Sequence, residues 1–414
     1  MLLLLKVSIW TALSTLIKIG AGLLMVKVLA LNFGPSGLGQ ASSFRQLVTM
    51  LGVLSGAGIF NGITKLVAEN SQQQRLRAVV GTGSSIVLGF SLLLMLFCVL
   101  TARPLSIAFF GHDRFRNLII FLAFIQLGIA YANLGLAVLQ GYRDLAGNAL
   151  AISCGNILGV TTFLLGYQIG GYQGSLLGLA LMPTMTLLPV LVILSRRLPL
   201  TFLQPIWHSG YAKQLSKFTI MALMTAITMP VAYLVMRQLL AYHYGWEAVG
   251  IWQGVSSISD AYLQFITASF TIYLLPTLAQ LNDKRAVAQE ISRSLTFVLS
   301  TATMLSLTVW LLREELINLL LSSQFLAINS LLFWQLMGDV LKVGAYVFGY
   351  LVVARVSLRL YILAELSQFT LLTGFSQWLI PCYGTLGAIQ AYLATYLVYF
   401  ILCVALFLLY IRIK

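Results

Sequence analysis

Charged residues are scarce in this sequence, and acidic residues are the scarcest of them. Only 9% of the 414 residues are charged, 11 are Asp or Glu, and 59% are hydrophobic, with a mean hydropathy of +0.93. Soluble globular domains contain about 25% charged residues, so this class is excluded. The apolar runs are continuous over about 20 residues instead of alternating with polar ones, which excludes a transmembrane β-barrel. The composition therefore predicts an all-α polytopic membrane protein.

Motifs of catalytic and metal sites are also missing. The four cysteines and three histidines are scattered, without the spacing of a disulfide framework or a metal site. There is no nucleotide-binding Gly-Lys loop and no His-Glu-x-x-His motif. We therefore expect a transporter and not an enzyme, with no catalytic residue, no metal and no cofactor. We also expect no cleavable signal peptide, because the apolar segment after Lys6 continues as a full span.

About twelve segments are long enough to cross a bilayer, since about 20 residues rising 1.5 Å each span its hydrocarbon core. Gly and Pro mark most of the breaks between them, as at Gly34-Pro35, Gly170-Gly171 and Pro381. The predicted spans are residues 8–32, 38–67, 79–101, 117–139, 146–168, 173–195, 216–240, 248–275, 293–312, 328–353, 358–380 and 385–410.

The basic residues are distributed unequally between the two sides of the membrane. Of the 25 Lys and Arg, 15 lie on the side of the N-terminus, 4 lie on the opposite side, and the other 6 lie within spans. Cytoplasmic loops are enriched in Lys and Arg, so we expect both termini to be cytoplasmic. The net charge of +14 is thus mostly a matter of topology, and we expect no nucleic-acid partner.

A polar connection divides the spans six and six. It predicts an N-terminal six-helix lobe at residues 1–197, a cytoplasmic linker at 198–215 and a C-terminal six-helix lobe at 216–414. A weak repeat agrees: Phe33–Gly39 aligns with Tyr244–Gly250, 211 residues later, and Gly174-Ser175-Leu176 aligns with Gly384-Thr385-Leu386, 210 residues later. An even number of spans per half predicts two lobes with the same orientation in the membrane.

The first two predicted spans, residues 8–68, contain four cations and no acid. The first acidic residue is Glu69, and the cations are Lys18, Lys27, Arg45 and Lys65. Because a cation at mid-bilayer costs roughly 2.5–3.5 kcal/mol, they indicate a wet, positively charged cavity and an anionic cargo. The alternative is that Lys27 and Lys65 extend to the lipid headgroups. Lys18 and Lys27 are nine residues apart, on opposite faces of a straight helix, so the four cations cannot all face one cavity unless the helices bend. Of the four, Lys18 and Arg45 are favoured as cavity residues by their depth alone.

Five further ionisable residues lie within later spans, namely Arg237, Asp260, Asp339, Lys342 and Glu365. Such residues typically mark transport pathways or proton relays. Asp339 and Lys342 are three residues apart on one helix face, which is consistent either with a functional site or with an ion pair that only orients the helix. Asp260 follows a run of small and hydroxyl residues, so it either pairs with a cation of another span or binds a proton or a sodium ion.

Five long segments resemble the multidrug/oligosaccharidyl-lipid/polysaccharide exporter superfamily and, within it, the Wzx-type lipid III flippases of enterobacterial common antigen synthesis. The resemblance extends over essentially the whole chain. The segments are Phe33–Gln40, Ser43–Glu69, Val249–Phe270, Gln335–Val353 and Leu358–Leu372.

This resemblance implies two six-helix lobes of the MATE type with a central cavity. It implies a flippase that moves an undecaprenyl-pyrophosphate-linked trisaccharide between leaflets of the bacterial inner membrane by alternating access. Such a cargo is anionic, which suits Lys and Arg ligands. The implied cargo-binding cations are Lys18, Arg45, Lys27 and Lys65, to which depth within the spans adds Arg237 and Lys342. The coupling candidates are Asp260 and Asp339, with Glu365 as a third in-span acid.

Three alternatives remain open from the sequence. The first is a flippase for another lipid-linked O-antigen unit. The second is a cation-coupled multidrug exporter of the same fold, for which an acidic interior is expected. Here the predicted spans contain six basic residues and only three acidic ones. The third is a scaffold for a glycan polymerase complex, which needs no deep charges. We expect a monomer in contact with membrane lipids, with glycan polymerase and chain-length proteins as candidate partners.

Overall fold

The computed structural model describes residues 2–70, 72–281, 283–354 and 358–412. These ranges are almost entirely helical. Three residues used in the sequence analysis lie outside the described ranges. They are Met1, the first residue of the predicted N-terminal lobe, and Arg355 and Lys414, which were counted for the orientation. The helices are α1 Leu2–Leu54, α2 Phe60–Glu69, α3 Gln73–Leu100, α4 Ala102–Phe110, α5 Arg116–Gly141, α6 Leu145–Leu181, α7 Leu187–Ser195, α8 Ser209–Ser269, α9 Leu275–Gln280, α10 Lys284–Leu311, α11 Arg313–Leu320, α12 Ile328–Ala354 and α13 Leu358–Arg412.

Eight helices of the described chain are long and apolar enough to cross a bilayer, judged by length and composition. This confirms the prediction of an all-α polytopic membrane protein. Four of the eight are interrupted internally, so that the eight helices contain twelve helical segments. The interruptions are at Gly34 in α1, Gly170-Gly171 in α6, Gly245 in α8 and Gly384 in α13. The break predicted at Pro381 lies three residues later, at Gly384, where φ is 58° and a residue with a Cβ would be strained.

The first predicted repeat is present in the backbone. Gly34 has φ 63° and ψ −167°, and Gly245, 211 residues later, has φ 80° and ψ 173°. The same offset relates both ends of α3 to both ends of α10. The residues that precede α4 and α11, Thr101 and Leu312, are also 211 residues apart and have nearly equal dihedral angles. The first kink, the helix α3 and the start of α4 are therefore repeated in the second half of the chain.

The second predicted repeat was wrong by three residues. Gly384 matches the conformation of Gly171, with ψ of −129° and −128° respectively, and not the helical Gly174. The true partner of Gly174 is Gly387, because each approaches the backbone eight residues earlier, at Gly166 and Leu379. Both registers align glycines, so a matched Gly at one position could not choose between them. The feature that both halves share is a left-handed turn followed, three residues later, by a close helix contact.

Residue contacts divide the chain into two compact units. The first contains residues 1–25 and 41–227, and the second contains residues 26–40 and 228–414. In the first unit, part of the core lies among α2, α3, α5 and α7 and includes Leu198, Phe202 and Leu215. The predicted linker therefore packs on this core, and the Ser84 hydroxyl donates to the Leu203 carbonyl at 2.6 Å. In the second unit, Tyr392, Tyr396 and Tyr399 of α13 pack against Ala345 of α12. The predicted lobe limits, 1–197 and 216–414, stay a prediction.

Candidate functional site

The predicted cations of the first unit have different surroundings. Lys18 is exposed and Arg45 is partly buried. Lys65 is exposed and lies 3.8 Å from the Glu69 carboxylate, one turn further along α2. An exposed pair of this kind contributes only about 0.3–0.5 kcal/mol, so the Lys65 ammonium keeps most of its freedom to meet an anion.

Lys27 belongs to the second unit, and its ammonium is held by backbone. It donates to the Asn318 carbonyl at 2.7 Å and to the Leu321 carbonyl at 2.8 Å. These carbonyls lie at the C-terminal end of α11, where no intrahelical N–H remains to bind them and the helix dipole favours a cation. Ser322, the next residue, donates to the Ala30 carbonyl at 3.5 Å. Lys27 is therefore a cap of α11, which spacing along the sequence could not reveal because the partners are 291 and 294 residues away.

Arg237 is buried within the bend of α8. It is only 5% exposed, one guanidinium nitrogen donates to the Gln253 side-chain oxygen at 2.9 Å, and its plane lies over the Trp252 ring at 5.2 Å. In a straight helix, residues 237 and 253 would be about 24 Å apart. The turn at Gly245 brings them together, so Arg237 joins the two segments of α8.

Asp339 lies at the centre of a buried polar cluster in the second unit. Its side chain is completely buried, and three side chains donate to it. Tyr392 donates to Oδ1 at 2.6 Å, Tyr262 donates to Oδ2 at 2.8 Å, and Gln335 donates to Oδ1 at 3.2 Å. Tyr262 also contacts the Ser306 hydroxyl at 3.1 Å. Hydrogen bonds to a carboxylate offset the cost of removing it from water, so this cluster can hold a buried charge on Asp339.

Lys342 meets this cluster through aromatic rings. Its ammonium lies 5.3 Å from the centre of the Tyr392 ring and 5.4 Å from that of Tyr396. The ion pairs of the described chain do not include Asp339 with Lys342, so the direct ion pair, one of the two alternatives that the sequence left open, is not formed. The physical reason is that Tyr392 occupies the position of a bridge: its hydroxyl binds Asp339, and its ring face attracts Lys342.

Asp260 is exposed, unlike Asp339, and lies close enough to Lys342 for the two charges to interact. Glu365 is partly buried and accepts a hydrogen bond from the Thr228 hydroxyl at 2.7 Å. The structure thus brings Lys342 near both Asp260 and Asp339. Glu365 does not join them and is hydrogen-bonded to Thr228 instead. Among the described residues, no group of three His, Cys, Asp or Glu side chains could hold a metal ion.

The tyrosines of this cluster were missed from the sequence. Tyr392, Tyr396 and Tyr399 are spaced i, i+4 and i+7, which places them on one face of α13. This spacing was the available signal, because tyrosine hydroxyls need partners when they are buried.

Comparison with known proteins gives the relationships of the whole chain. The sequence pattern of the family described as "Polysaccharide biosynthesis protein" matches residues 4–282. The chain is 59% identical to the Lipid III flippase of Escherichia coli (strain K12) over 410 residues, which are 98% of this chain and 99% of that protein. The Lipid III flippase of Shigella flexneri gives the same identity and coverage.

Solved structures with the same fold include two kinds of transporter. The Lipid II flippase MurJ in an inward closed conformation has a TM-score of 0.72 at 14% identity, covering 97% of this chain and 87% of that chain. An inward-facing multidrug resistance MATE family transporter of the MOP superfamily has a TM-score of 0.71 at 14% identity, covering 96% of this chain and 94% of that chain. At these identities the likeness concerns the fold alone.

Proposed function

The chain belongs to the Polysaccharide biosynthesis protein family and, within it, to the lipid III flippases, and from this membership we propose what it carries and how. It is a multi-pass membrane transporter of a lipid-linked oligosaccharide. The cargo is the undecaprenyl-pyrophosphate-linked trisaccharide lipid III, which crosses from the cytoplasmic to the periplasmic leaflet of the inner membrane by alternating access. The product serves enterobacterial common antigen synthesis.

The observation that carries this proposal is identity of 59% to Lipid III flippases along almost the whole of both chains. The charge of the first stretch supports it independently. A pyrophosphate is anionic, and residues 8–68 contain four cations and no acid. Lys and Arg bind phosphate and carboxylate through charge-assisted hydrogen bonds, which are roughly twice as strong as neutral ones.

The proposed cargo-binding cations differ in depth and in exposure. Lys18 and Arg45 are the principal candidates, because Lys18 is exposed and both lie deep in their spans. Lys65 is a further candidate with a weak competing partner. Lys27, Arg237 and Lys342 complete the set, but α11 carbonyls, Gln253 and two tyrosine rings already engage them. These three act on the cargo mainly through their charge.

A proton is the proposed coupling ion, with Asp260 and Asp339 as the coupling residues and Glu365 as the third candidate. Asp260 is exposed, whereas Asp339 is enclosed by its donors. Lys342 interacts electrostatically with both Asp260 and Asp339. A change of charge on Asp260 therefore changes how strongly Lys342 acts on Asp339. An exposed carboxyl group is thereby coupled, through Lys342, to a buried hydrogen-bond network.

The proposed topology follows from the distribution of basic residues, and the proposed oligomeric state follows from the internal repeat. Both termini face the cytoplasm, because 15 basic residues lie on their side against 4 on the other. One chain supplies both halves of the repeat, so the transporter works as a monomer. Glycan polymerase and chain-length proteins are its proposed partners, since they act on the product of flipping.

A leaflet assay with the purified protein in proteoliposomes tests the proposal. Lipid III and an O-antigen precursor on the same carrier lipid are compared, each with and without a pH gradient. We expect movement of lipid III to exceed movement of the O-antigen precursor and to respond to the gradient. Equal movement of both substrates would favour a flippase for lipid-linked glycans in general, and cation-dependent efflux of amphipathic drugs without lipid movement would favour a multidrug exporter.

A further inference from the structure

A cavity of about 290 Å³ lies in the second unit, outside the polar cluster around Asp339. One wall is the short segment Phe270–Leu274, and the other is a face of α10. Its lining residues are Phe270, Tyr273, Leu274, Glu290, Arg293, Ser294, Phe297 and Val298.

The cavity exists because the chain changes its helical geometry at this wall. Residues Phe270–Leu274 form a π-helical turn between α8 and α9. Pro276 lies two residues after this turn and has no backbone N–H, so the regular i→i−4 pattern cannot pass through it. A π turn widens the helix, and such turns occur frequently at functional sites.

The floor and the rim of the cavity differ in chemistry. Phe270 and Leu274 are each 2% exposed and Val298 is 4% exposed, so the floor is apolar. At the rim, Phe297 is 67% exposed and Arg293 is exposed. A ligand that fits must therefore have an apolar portion and a polar end.

Two opposite charges stand at the polar end. Glu290 and Arg293 are three residues apart, so they lie on the same face of α10. The ion pairs of the described chain do not join them. The Ser294 hydroxyl donates to Glu290 at 3.2 Å, and the Tyr273 hydroxyl on the opposite wall also hydrogen-bonds to this carboxylate. These neutral donors orient the carboxylate without neutralising it. Arg293 is the first residue of the predicted span 293–312, at the depth of the cytoplasmic headgroups, where Arg can bind phosphate while an acyl chain lies deeper.

We propose that this cavity is a binding site for a phospholipid whose headgroup carries both a phosphate and a primary ammonium. Arg293 binds the phosphate, Glu290 accepts hydrogen bonds from the ammonium, and one acyl chain lies against Phe270, Leu274 and Phe297. The site concerns a bound membrane lipid and is separate from the transported cargo. A headgroup with phosphate alone leaves Glu290 facing an anion, and a trimethylated headgroup has no N–H to donate to it.

Native mass spectrometry of the full-length protein in detergent tests this site. Phosphatidylethanolamine, phosphatidylglycerol and phosphatidylcholine with identical acyl chains are titrated separately, together with a polyprenyl phosphate. We expect phosphatidylethanolamine to bind about fivefold more tightly than the other two phospholipids. Arg293→Gln should weaken its binding about tenfold, the size expected for losing one charge-assisted hydrogen bond. Glu290→Gln should bring phosphatidylethanolamine down to the level of phosphatidylcholine.

Arg285→Gln is the matched control, because Arg285 is an exposed arginine of the same helix that does not line the cavity. It should leave all lipid affinities unchanged, and thermal unfolding of each variant separates lost binding from lost folding. Three results would overturn the proposal: equal binding of the three phospholipids, equal effects of Arg285→Gln and Arg293→Gln, or tighter binding of the polyprenyl phosphate than of phosphatidylethanolamine.

Discussion

Tyr392 donates its hydroxyl hydrogen to Oδ1 of Asp339 across 2.6 Å while its ring lies 5.3 Å from the Lys342 ammonium. One side chain thus donates a hydrogen bond to a carboxyl group with its hydroxyl and presents its ring face to a cation. Because Asp339 is completely buried, its charge depends on these donors. Tyr392 therefore links α12 and α13 through chemistry that neither charged residue provides alone.

Replacing Tyr392 by Phe separates these two contributions. Tyr392→Phe keeps the ring over Lys342 but removes the shortest hydrogen bond to Asp339, so we expect a loss of about 1–3 kcal/mol in stability. The midpoint of thermal unfolding in detergent measures it. Tyr396→Phe is the control, because Tyr396 also faces Lys342 with its ring and is not a donor to Asp339. Equal effects of the two variants would contradict the assigned role of the hydroxyl.

The turn between α5 and α6 predicts a dependence of stability on pH. Asp144 accepts from the Arg197 side chain at 2.8 Å and from the Gly147 N–H at 2.9 Å, the position of a helix N-cap. Burial raises the pKa of Asp144, but the Arg197 and Gly147 hydrogen bonds outweigh it, so the pKa is lowered overall. A lowered pKa in the folded state contributes stability above the unfolded pKa of about 3.9, and this contribution is lost as pH falls through the folded value.

We therefore expect Asp144→Asn, which keeps the N-cap but removes the charge that meets Arg197 and the helix N-terminus, to cost about 1 kcal/mol at pH 7. The difference between wild type and variant should shrink as the pH is lowered below about 4. Unfolding midpoints of both proteins at pH 7, 5, 4 and 3 measure this convergence. A difference that stays constant over this range would show that the carboxylate charge does not matter here.

The sequence predicted the long-range pattern of this fold better than its contacts. Twelve apolar segments, the kink at Gly34 and its repeat at Gly245 could be found, because apolar length and glycine position are local properties. The correct partner of Gly171 could not, since the two halves share a backbone conformation at that point and almost no side chains.

The candidate site shows the same limit in chemical terms. Depth along a span identified Asp339 and Lys342, because charge inside an apolar segment is visible in the sequence. Gln335 lies on the same helix as Asp339, four residues earlier, but the other two donors, Tyr392 and Tyr262, come from α13 and α8. The acceptors of Lys27 lie at the end of α11. Which helices are neighbours depends on packing that spacing does not encode.

The second unit contains a helix contact that tolerates only glycine. A Cβ built on Gly39 would lie 2.8 Å from the Gly250 nitrogen, and a Cβ on Gly250 would overlap the Pro35 carbonyl. We expect Gly250→Ala to destabilise the protein by about 1–3 kcal/mol, because backbone cannot move aside easily. Gly89→Ala is the control, since no atom lies within 4 Å of its added methyl group, and it should not destabilise. Unfolding midpoints of the two variants compare these effects, and equal midpoints would contradict the contact.

The proposed cargo-binding role makes a prediction in cells. Lys18→Ala and Arg45→Ala should abolish surface display of the glycan while the proteins still insert in the membrane, because each removes a cation proposed to hold the pyrophosphate. Immunodetection of the glycan and of the membrane-inserted protein measures both properties. Lys213→Ala, at an exposed lysine near the start of α8, should leave display unchanged. Normal display in both test variants would remove the argument from cavity cations.

Lys27 and Lys18 should respond differently to the same substitution. Lys27→Gln removes the ammonium group that donates to two carbonyls at the end of α11. We therefore expect a loss of about 1.5–3 kcal/mol in stability, measured as a lower unfolding midpoint. Lys27→Arg keeps the charge and should restore much of it. Lys18→Gln should leave the midpoint unchanged, because Lys18 is exposed, while it removes transport of lipid III in proteoliposomes. If Lys27→Gln instead left the midpoint unchanged and abolished transport, Lys27 would be a cargo ligand and not the cap of α11.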